Sequence, residues 1–227
     1  MNSKTKILVI DDEPQIRKLL KLTLEANNFE VITAENGKNG IQVTASFKPE
    51  LILLDLNLPD EDRVSVLKQI REWSTAQIII LSVRSSEADK INLLDSGADD
   101  YITKPFHSGE LLARIRVALR HEDIAQESPV QTIGEIEINY ASRTVKKSGK
   151  TINLTSTEYA ILKLLISNND KVLTHKQILE SIWGNPFSEE TQYFRVFIGQ
   201  IRKKIEDDAS NPKYLKTISE AGYIFSF

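Results

Sequence analysis

Cysteine is absent from the 227-residue chain, which excludes a disulfide framework, a zinc–thiolate site and a thiol nucleophile. No apolar run approaches ~18 residues, so nothing reads as a membrane span. The opening stretch Met1–Pro14 holds a strand-like apolar run that is too short and too soon acidic for a signal peptide. A soluble cytoplasmic protein, without membrane insertion, is the expectation. Charge of one sign is not in excess: 29 Lys+Arg stand against 32 Asp+Glu, a formal net charge of −3. A basic coat over the whole molecule is thereby excluded, while a local basic face is not. Internal repeats and low-complexity tracts are also missing. What remains is an ordinary globular composition, with enough apolar residues for buried cores and a length that fits one or two domains at roughly 100–200 residues each.

The first half alternates short apolar runs with helical patterns. Ile7–Ile10, Val31-Ile32, Leu51–Leu54, Ile78–Leu81 and the weaker Tyr101–Thr103 read as strands. A helix opens at Pro14, and others are expected near 37–46, 63–72, 86–95 and 109–120. Strands apolar on both faces and separated by helices predict an α/β domain with a doubly wound, five-stranded parallel sheet. The pattern stops at a polar, acidic stretch ending in Pro129, so a first domain over 1–121, a linker over 122–130 and a second domain over 131–227 are expected. In the second domain, 133–138, 143–147 and 151–154 read as alternating strands, with Ser148-Gly149-Lys150 as a turn. Thr155–Glu158 and Thr174–Gln177 read as capping boxes opening two helices. A third helix is expected over about 190–206, and two strands between Tyr214 and Phe227.

Four of the five predicted strands of the first domain are followed by a polar group at the carboxyl end. Asp11, Asp12 and Glu13 follow the first, Asp55 the third, Ser82 the fourth and Lys104 the fifth. Ligands bind at the carboxyl edge of open α/β sheets. A lone Asp after a strand is ordinarily a cap or turn residue, but independent runs here deliver carboxylates, a hydroxyl and an ammonium to one crevice. Clustered carboxylates resist ionising together unless a cation compensates, and a hard divalent ion, Mg²⁺, suits such oxygen ligands. The set fits phosphoryl transfer: Lys104 and the cation neutralise phosphoryl oxygens, Ser82 hydrogen-bonds one, and a carboxylate attacks phosphorus in line.

Asp11-Asp12, Asp55–Asp60, Ser82, Gly97–Tyr101 and Lys104-Pro105-Phe106 closely resemble a bacterial receiver domain, of flavodoxin-like fold, over about residues 4–121. The resemblance implies that Asp55 accepts a phosphoryl group from a sensor histidine kinase. It implies Mg²⁺ held by Asp12, Asp55 and the Asn57 carbonyl, with Asp11 helping through water, and a coupled movement of Ser82 and Tyr101 on activation. It also implies self-phosphorylation and slow autodephosphorylation rather than turnover of a substrate. The sequence departs from the pattern at Arg63, where the family usually has Gly.

Residues 191–205 carry two faces. Phe194, Phe197, Ile198, Ile201 and Ile205 keep helical spacing and should face a core. Gln192, Arg195, Gly199 and Arg202 form another stripe, flanked by Lys203 and Lys204. Such a stripe is ordinarily a solvated face, yet Arg and Gln on a helix can read base edges while Lys and Arg hold phosphates. Leu154-Thr155, Glu158, Leu162, Val172–Thr174, Trp183-Gly184, Arg202–Ile205 and Gly222-Tyr223 resemble the α+β winged helix-turn-helix domain of the OmpR/PhoB family over about 131–227. The resemblance implies double-stranded promoter DNA and RNA polymerase as partners, 190–206 as the recognition helix and the last hairpin as the wing. Ser219, Glu220 and Ile224 replace residues that are often Gly or Arg in the family wing, so the helix is expected to carry most of the specificity.

In the resembled family the face holding Lys90, Asp95, Asp100, Glu110, Arg114 and Arg116 forms a symmetric dimer on phosphorylation. Carried over by position, the intermolecular pairs are Lys90–Glu110, Asp100–Arg114 and Asp95–Arg116. Arg71–Ser74, Asp89–Ile91, Gly109–Arg120 and Gln192–Arg195 are most similar to the Kdp type, which regulates a potassium-transport operon. Two other functions use the same residues: a regulator that binds DNA without phosphorylation, and a Mg²⁺-dependent phosphohydrolase working through an aspartyl-phosphate.

Overall fold

The computed structural model describes residues 4–56, 58, 63–83, 87–119, 130–184, 191–219 and 221–227. The chain divides into two compact units, Met1–Arg120 and His121–Phe227.

The first unit grows from five strands, β1 (Lys6–Ile10), β2 (Glu30–Ala34), β3 (Leu51–Asp55), β4 (Gln77–Ser82) and β5 (Asp100–Thr103). They are parallel and lie in the order β2-β1-β3-β4-β5. The connections are α1 (Pro14–Ala26), α2 (Gly37–Phe47), α3 (Arg63–Arg71) and α4 (Glu87–Asp95), with α5 (Ser108–Ala118) after the last strand. Because side chains alternate along a strand, Ile7, Val9, Leu51, Leu53, Ile79 and Leu81 face one way. There they meet Leu20 and Leu24 of α1 and Leu111 and Ile115 of α5, all buried. Each such aliphatic side chain contributes ~1.5–3 kcal/mol on full burial. The alternate residues Leu8, Ile10, Ile52, Leu54, Ile78 and Ile80 are equally buried. On that face α2 comes so close that a Cβ on Gly40 would lie 2.5 Å from Ile10 Cδ1.

Arg71, at the end of α3, closes the far edge. Its Nε donates to Gly97 O at 2.7 Å, Nη1 to Ala76 O at 2.5 Å, and Nη2 to the buried Asp99 carboxylate. Asp99 in turn accepts the Ile78 N–H.

The second unit begins with an antiparallel sheet of β6 (Val130–Ile133), β7 (Ile136–Asn139), β8 (Thr144–Lys147) and β9 (Lys150–Ile152). The single strand expected over 133–138 is two strands. Gly134 at φ +57 turns the chain, and the three-residue step from Ile133 to Ile136 breaks the alternation a strand needs. β6 starts at Val130, inside the stretch read as linker; the rest of that stretch lies outside the described residues. Between β8 and β9, Ser148 (φ 49) and Gly149 (φ 79) make a two-residue turn of the primed kind that right-twisted hairpins prefer.

Three helices follow: α6 (Ser156–Ser167), α7 (His175–Trp183) and α8 (Thr191–Ile205). The first two open on the expected capping boxes. Thr155 N donates to Glu158 Oε2 at 2.7 Å while Glu158 N donates to Thr155 Oγ1 at 3.2 Å, and Thr174 and Gln177 repeat the exchange at 2.9 and 3.2 Å. Such caps stabilise by ~1 kcal/mol each. A second sheet, in the order β10-β12-β11, joins β10 (Val172–Thr174), β11 (Leu215–Ile218) and β12 (Gly222–Phe225). β10 carries no strand signal in the sequence. It is three residues long and exists by pairing with β12. Gly222 pairs there with Thr174, and a Cβ on it would lie 2.0 Å from Leu173 O. Leu162, Leu165 and Ile178 are buried together with Phe194, Phe197, Ile198, Ile201 and Ile205, the α8 residues expected to face a core.

Candidate phosphoacceptor and DNA-binding sites

The acidic crevice is built by register. Ile10 and Leu54 are partners in the β1–β3 ladder, so the next residues, Asp11 and Asp55, leave adjacent strands side by side. Asp12 follows, half-buried. Oxygens of the three carboxylates all lie within 4.8 Å of one another. Asp11 and Asp55 are fully buried. Lys104, at the end of β5, reaches across with Nζ 2.8 Å from Asp55 Oδ1 and 3.0 Å from Asp11 Oδ2. Its backbone N–H donates to Ser82 O at 2.7 Å, which ties the ends of β4 and β5 together. Ser82 itself is buried at this edge.

Burial pushes the Asp11 carboxyl above its ordinary range, against the lowering effects of Lys104 and of the Glu13 N–H, which donates to Asp11 Oδ1 at 2.8 Å. Burial also pulls on Lys104 in the direction of deprotonation, but hydrogen bonds and charge from Asp55 and Asp11 outweigh it and hold the ammonium above its usual value. Three carboxylates with one ammonium leave an excess of negative charge in a desolvated cleft. All the offered donors are carboxylate oxygens, which suits a hard divalent cation. Asn57 and the residues from Pro59 to Asp62 lie outside the described residues, as does the side chain of Arg63, whose backbone opens α3.

The sequence reading names no role for Arg17. In the structure its Nη1 donates to Asp11 O at 2.7 Å, one turn into α1. The only sequence signal was its place one helical turn beyond Glu13.

The other expected site residues are dispersed along β5, α4 and α5. The Tyr101 side chain is buried; its hydroxyl accepts a hydrogen bond from Lys90 Nζ at 3.0 Å, and the same ammonium lies 4.3 Å from the ring centre. Arg114 pairs with Asp100 inside the chain, Nη1 donating at 2.9 and 3.0 Å, and with Glu110 at 3.3 Å. Asp95 and Arg116 are exposed.

In the second unit α8 carries the basic stripe. Gln192 stands in its first turn. Arg195 and Lys203 are exposed and Gly199 is half-buried beside open space. Two cations of the stripe are engaged within the domain. Lys204 Nζ lies 2.6 Å from Oε2 of the buried Glu158. Arg202 donates to Leu215 O at 2.8 Å and Thr217 Oγ1 at 2.9 Å. Glu206, just past α8, accepts backbone N–H bonds from Lys213, Tyr214 and Leu215. Of the unusual wing residues, Ser219 is exposed, Ile224 half-buried and Glu220 outside the described residues. Among the described residues, no helix is long and apolar enough to cross a membrane.

Comparison with known families matches residues 7–116 to the response regulator receiver domain and residues 149–225 to the C-terminal domain of transcriptional regulatory proteins. The chain is a response regulator of the OmpR/PhoB family. Its relatives include the transcriptional regulatory protein KdpE of Mycobacterium tuberculosis, 42% identical over 97% of this chain and 99% of that one. The KDP operon transcriptional regulatory protein KdpE of Escherichia coli is 40% identical over the same shares of the two chains. Among solved structures, the response regulator DrrB of Thermotoga maritima, an OmpR/PhoB homolog, is 32% identical over 99% of this chain and all of that one, with a TM-score of 0.51. The receiver and winged helix-turn-helix of this response regulator therefore combine phosphoacceptor and DNA-binding functions in one chain. The receiver is a phosphoacceptor rather than an enzyme in the ordinary sense, and its Asp11–Asp12–Asp55 cluster suits a divalent metal.

Proposed function

We propose that this response regulator is a phosphorylation-activated transcription regulator of a two-component system, with Asp55 as the phosphoacceptor. The observation that carries the reading is the Lys104 ammonium set between Asp55 and Asp11, in the crevice completed by Asp12. An Asp55 oxygen attacks phosphorus of a phosphohistidine on the sensor kinase in line; the P–N bond breaks as the P–O bond forms, and the imidazole leaves. Lys104 neutralises a phosphoryl oxygen, and the Ser82 hydroxyl donates to another. Asp12, Asp55 and the Asn57 carbonyl would hold Mg²⁺ directly and Asp11 through water, and the ion supplies charge neutralisation of the phosphoryl oxygens. Ser82 and Tyr101 are the switch pair.

The downstream step is DNA binding as a homodimer in the cytoplasm, with RNA polymerase as the partner at the promoter. Gln192, Arg195 and Gly199 face base edges and Lys203 a phosphate. The face of Lys90, Asp95, Asp100, Glu110, Arg114 and Arg116 forms the dimer, and phosphorylation acts by favouring the dimer-competent conformer. In that dimer, Arg114 exchanges a pairing within its own chain for one between chains. The target is an operon for potassium transport of the Kdp type. Support comes from near-full-length identity of about two residues in five to two KdpE regulators.

The test is recovery of genomic DNA fragments by the purified protein, with and without Mg²⁺ and beryllofluoride as a phosphoryl mimic. Enrichment of a potassium-transport promoter only with the mimic is the expected result. Equal enrichment in both conditions would mean a phosphorylation-independent regulator, and enrichment of an unrelated promoter would overturn the Kdp assignment.

A further inference from the structure

Arg202 sits on the stripe of α8 that also holds Gln192, Arg195 and Gly199, but its guanidinium turns toward the terminal hairpin. Nε donates to Leu215 O and Nη2 to Thr217 Oγ1, both on β11. The guanidinium carbon lies 5.9 Å from the centre of the Tyr223 ring on β12. One side chain of α8 thus touches both strands of the hairpin.

The two strands are anchored differently. β12 is the central strand, paired with β10 and β11. Its Tyr223 ring packs edge-on against His175 of α7 and Phe194 of α8, each 5.3 Å away between centroids. β11 is an edge strand whose residues Lys216, Thr217 and Ile218 are exposed. Leu215, its first residue, is fully buried, and from its carbonyl onward the strand is joined to α8 by hydrogen bonds. Glu206 accepts the Leu215 N–H at 2.8 Å while Arg202 donates to the Leu215 carbonyl, so α8 and the residue after it hold both sides of one residue's backbone. The bond to Thr217 extends the grip two residues toward the tip. A lysine cannot copy this geometry: its donors radiate from one nitrogen, whereas Leu215 O and Thr217 Oγ1 are met by two separate nitrogens, Nε and Nη2, of one planar guanidinium.

We propose that Arg202 is a positioning residue, which straps the β11–β12 hairpin to the recognition helix and fixes the hairpin's angle, instead of contacting DNA. Arg195 and Lys203, both exposed, are left as the cations of α8 that meet the nucleic acid. The proposal deepens the DNA-binding reading and rests on it for its consequence, but the strap itself is a property of the chain alone.

Two measurements on the full chain test it. In hydrogen exchange without DNA, the Leu215–Ile218 and Gly222–Phe225 amides of Arg202→Lys should exchange roughly tenfold faster than in the parent, the scale of one lost charge-assisted hydrogen bond. The amides of α6 should be unchanged. The milder Thr217→Val, which removes one acceptor and keeps the shape, should show the same pattern more weakly and guards against a variant that fails to fold. In the second measurement, binding to a random-sequence duplex is titrated across salt concentrations. Arg202→Gln should keep the parent's slope of log affinity against log salt. Unchanged hairpin exchange in Arg202→Lys would overturn the strap. So would a slope shallower by about 0.9 in Arg202→Gln, the signature of one lost phosphate contact. Failure of the parent to bind any duplex would instead count against the DNA-binding reading, with the exchange result still deciding the strap.

Discussion

Arg114 of α5 and Asp100 of β5 are bound to each other within one chain, a single guanidinium nitrogen meeting both carboxylate oxygens at 2.9 and 3.0 Å. Both side chains are at least nine-tenths buried. Removing one member of a buried pair strands the other, which costs about 3–5 kcal/mol. Arg114→Ala should therefore lower the urea midpoint of the receiver clearly. The exposed Arg116→Ala should leave stability within about 0.5 kcal/mol. Equal, small effects at the two positions would show that the Asp100 pair contributes little.

Phosphoryl uptake from a small donor such as acetyl phosphate should vanish in Asp55→Asn, read by intact-protein mass. With Mg²⁺ present, Lys104→Ala should impair switching more than folding, because the cation then offsets the buried Asp11 and Asp55 carboxylates that the lost ammonium leaves unpaired. An Asp55→Asn protein that still gains a phosphoryl group would remove Asp55 as the acceptor.

Asp11 gives a pH signature. Its folded-state pKa is raised by burial above the ordinary 3.8. The stability this brings is fully present below about that pH and is lost as pH rises through the raised value. At neutral pH the ionised carboxylate is therefore a cost in the metal-free protein. Without divalent cation, Asp11→Asn should gain stability relative to the parent as pH rises through this range. Adding Mg²⁺ to the parent should narrow the gap. Urea midpoints across a pH series test this, and a difference that stays flat with pH would sink the argument.

Arg195 and Lys203 should separate specificity from affinity. Arg195→Ala should relax discrimination by ~1–3 kcal/mol at one operator position. Lys203→Ala should weaken all sequences alike and flatten the salt dependence by about one ion. Competition titrations with mutated operators distinguish the two behaviours.

Much of this molecule could be read from its one-dimensional pattern, for physical reasons. Apolar runs such as Leu51–Leu54 can only be satisfied on both faces of a covered sheet, so they announced the parallel strands. The polar residues that follow these runs have to emerge at one edge, so the meeting of Asp11, Asp55, Ser82 and Lys104 is legible in the sequence. Both capping boxes are local, three-residue signals and were equally visible. What stayed hidden was non-local. Arg202 meets acceptors 13 and 15 residues away, and Lys204 reaches Glu158 across 46. On the helical wheel both are simply exposed cations beside Arg195. Arg17 binds a backbone carbonyl, which has no sequence identity to detect. β10 has too few residues to carry an alternation and depends wholly on β12.

The register that sets Ile10 against Leu54 has a consequence for engineering. Neighbouring strands lie about 4.7–4.9 Å apart, and the carboxylates of Asp11, Asp12 and Asp55 cluster within 4.8 Å. The side-by-side placement of Asp11 and Asp55 is thus set by the backbone ladder rather than by the helices that cover the sheet. Outer faces of those helices can be resurfaced, for new kinases or for immobilisation, without moving Asp11 and Asp55 apart. A shift in strand pairing by a single residue would dismantle that placement at once.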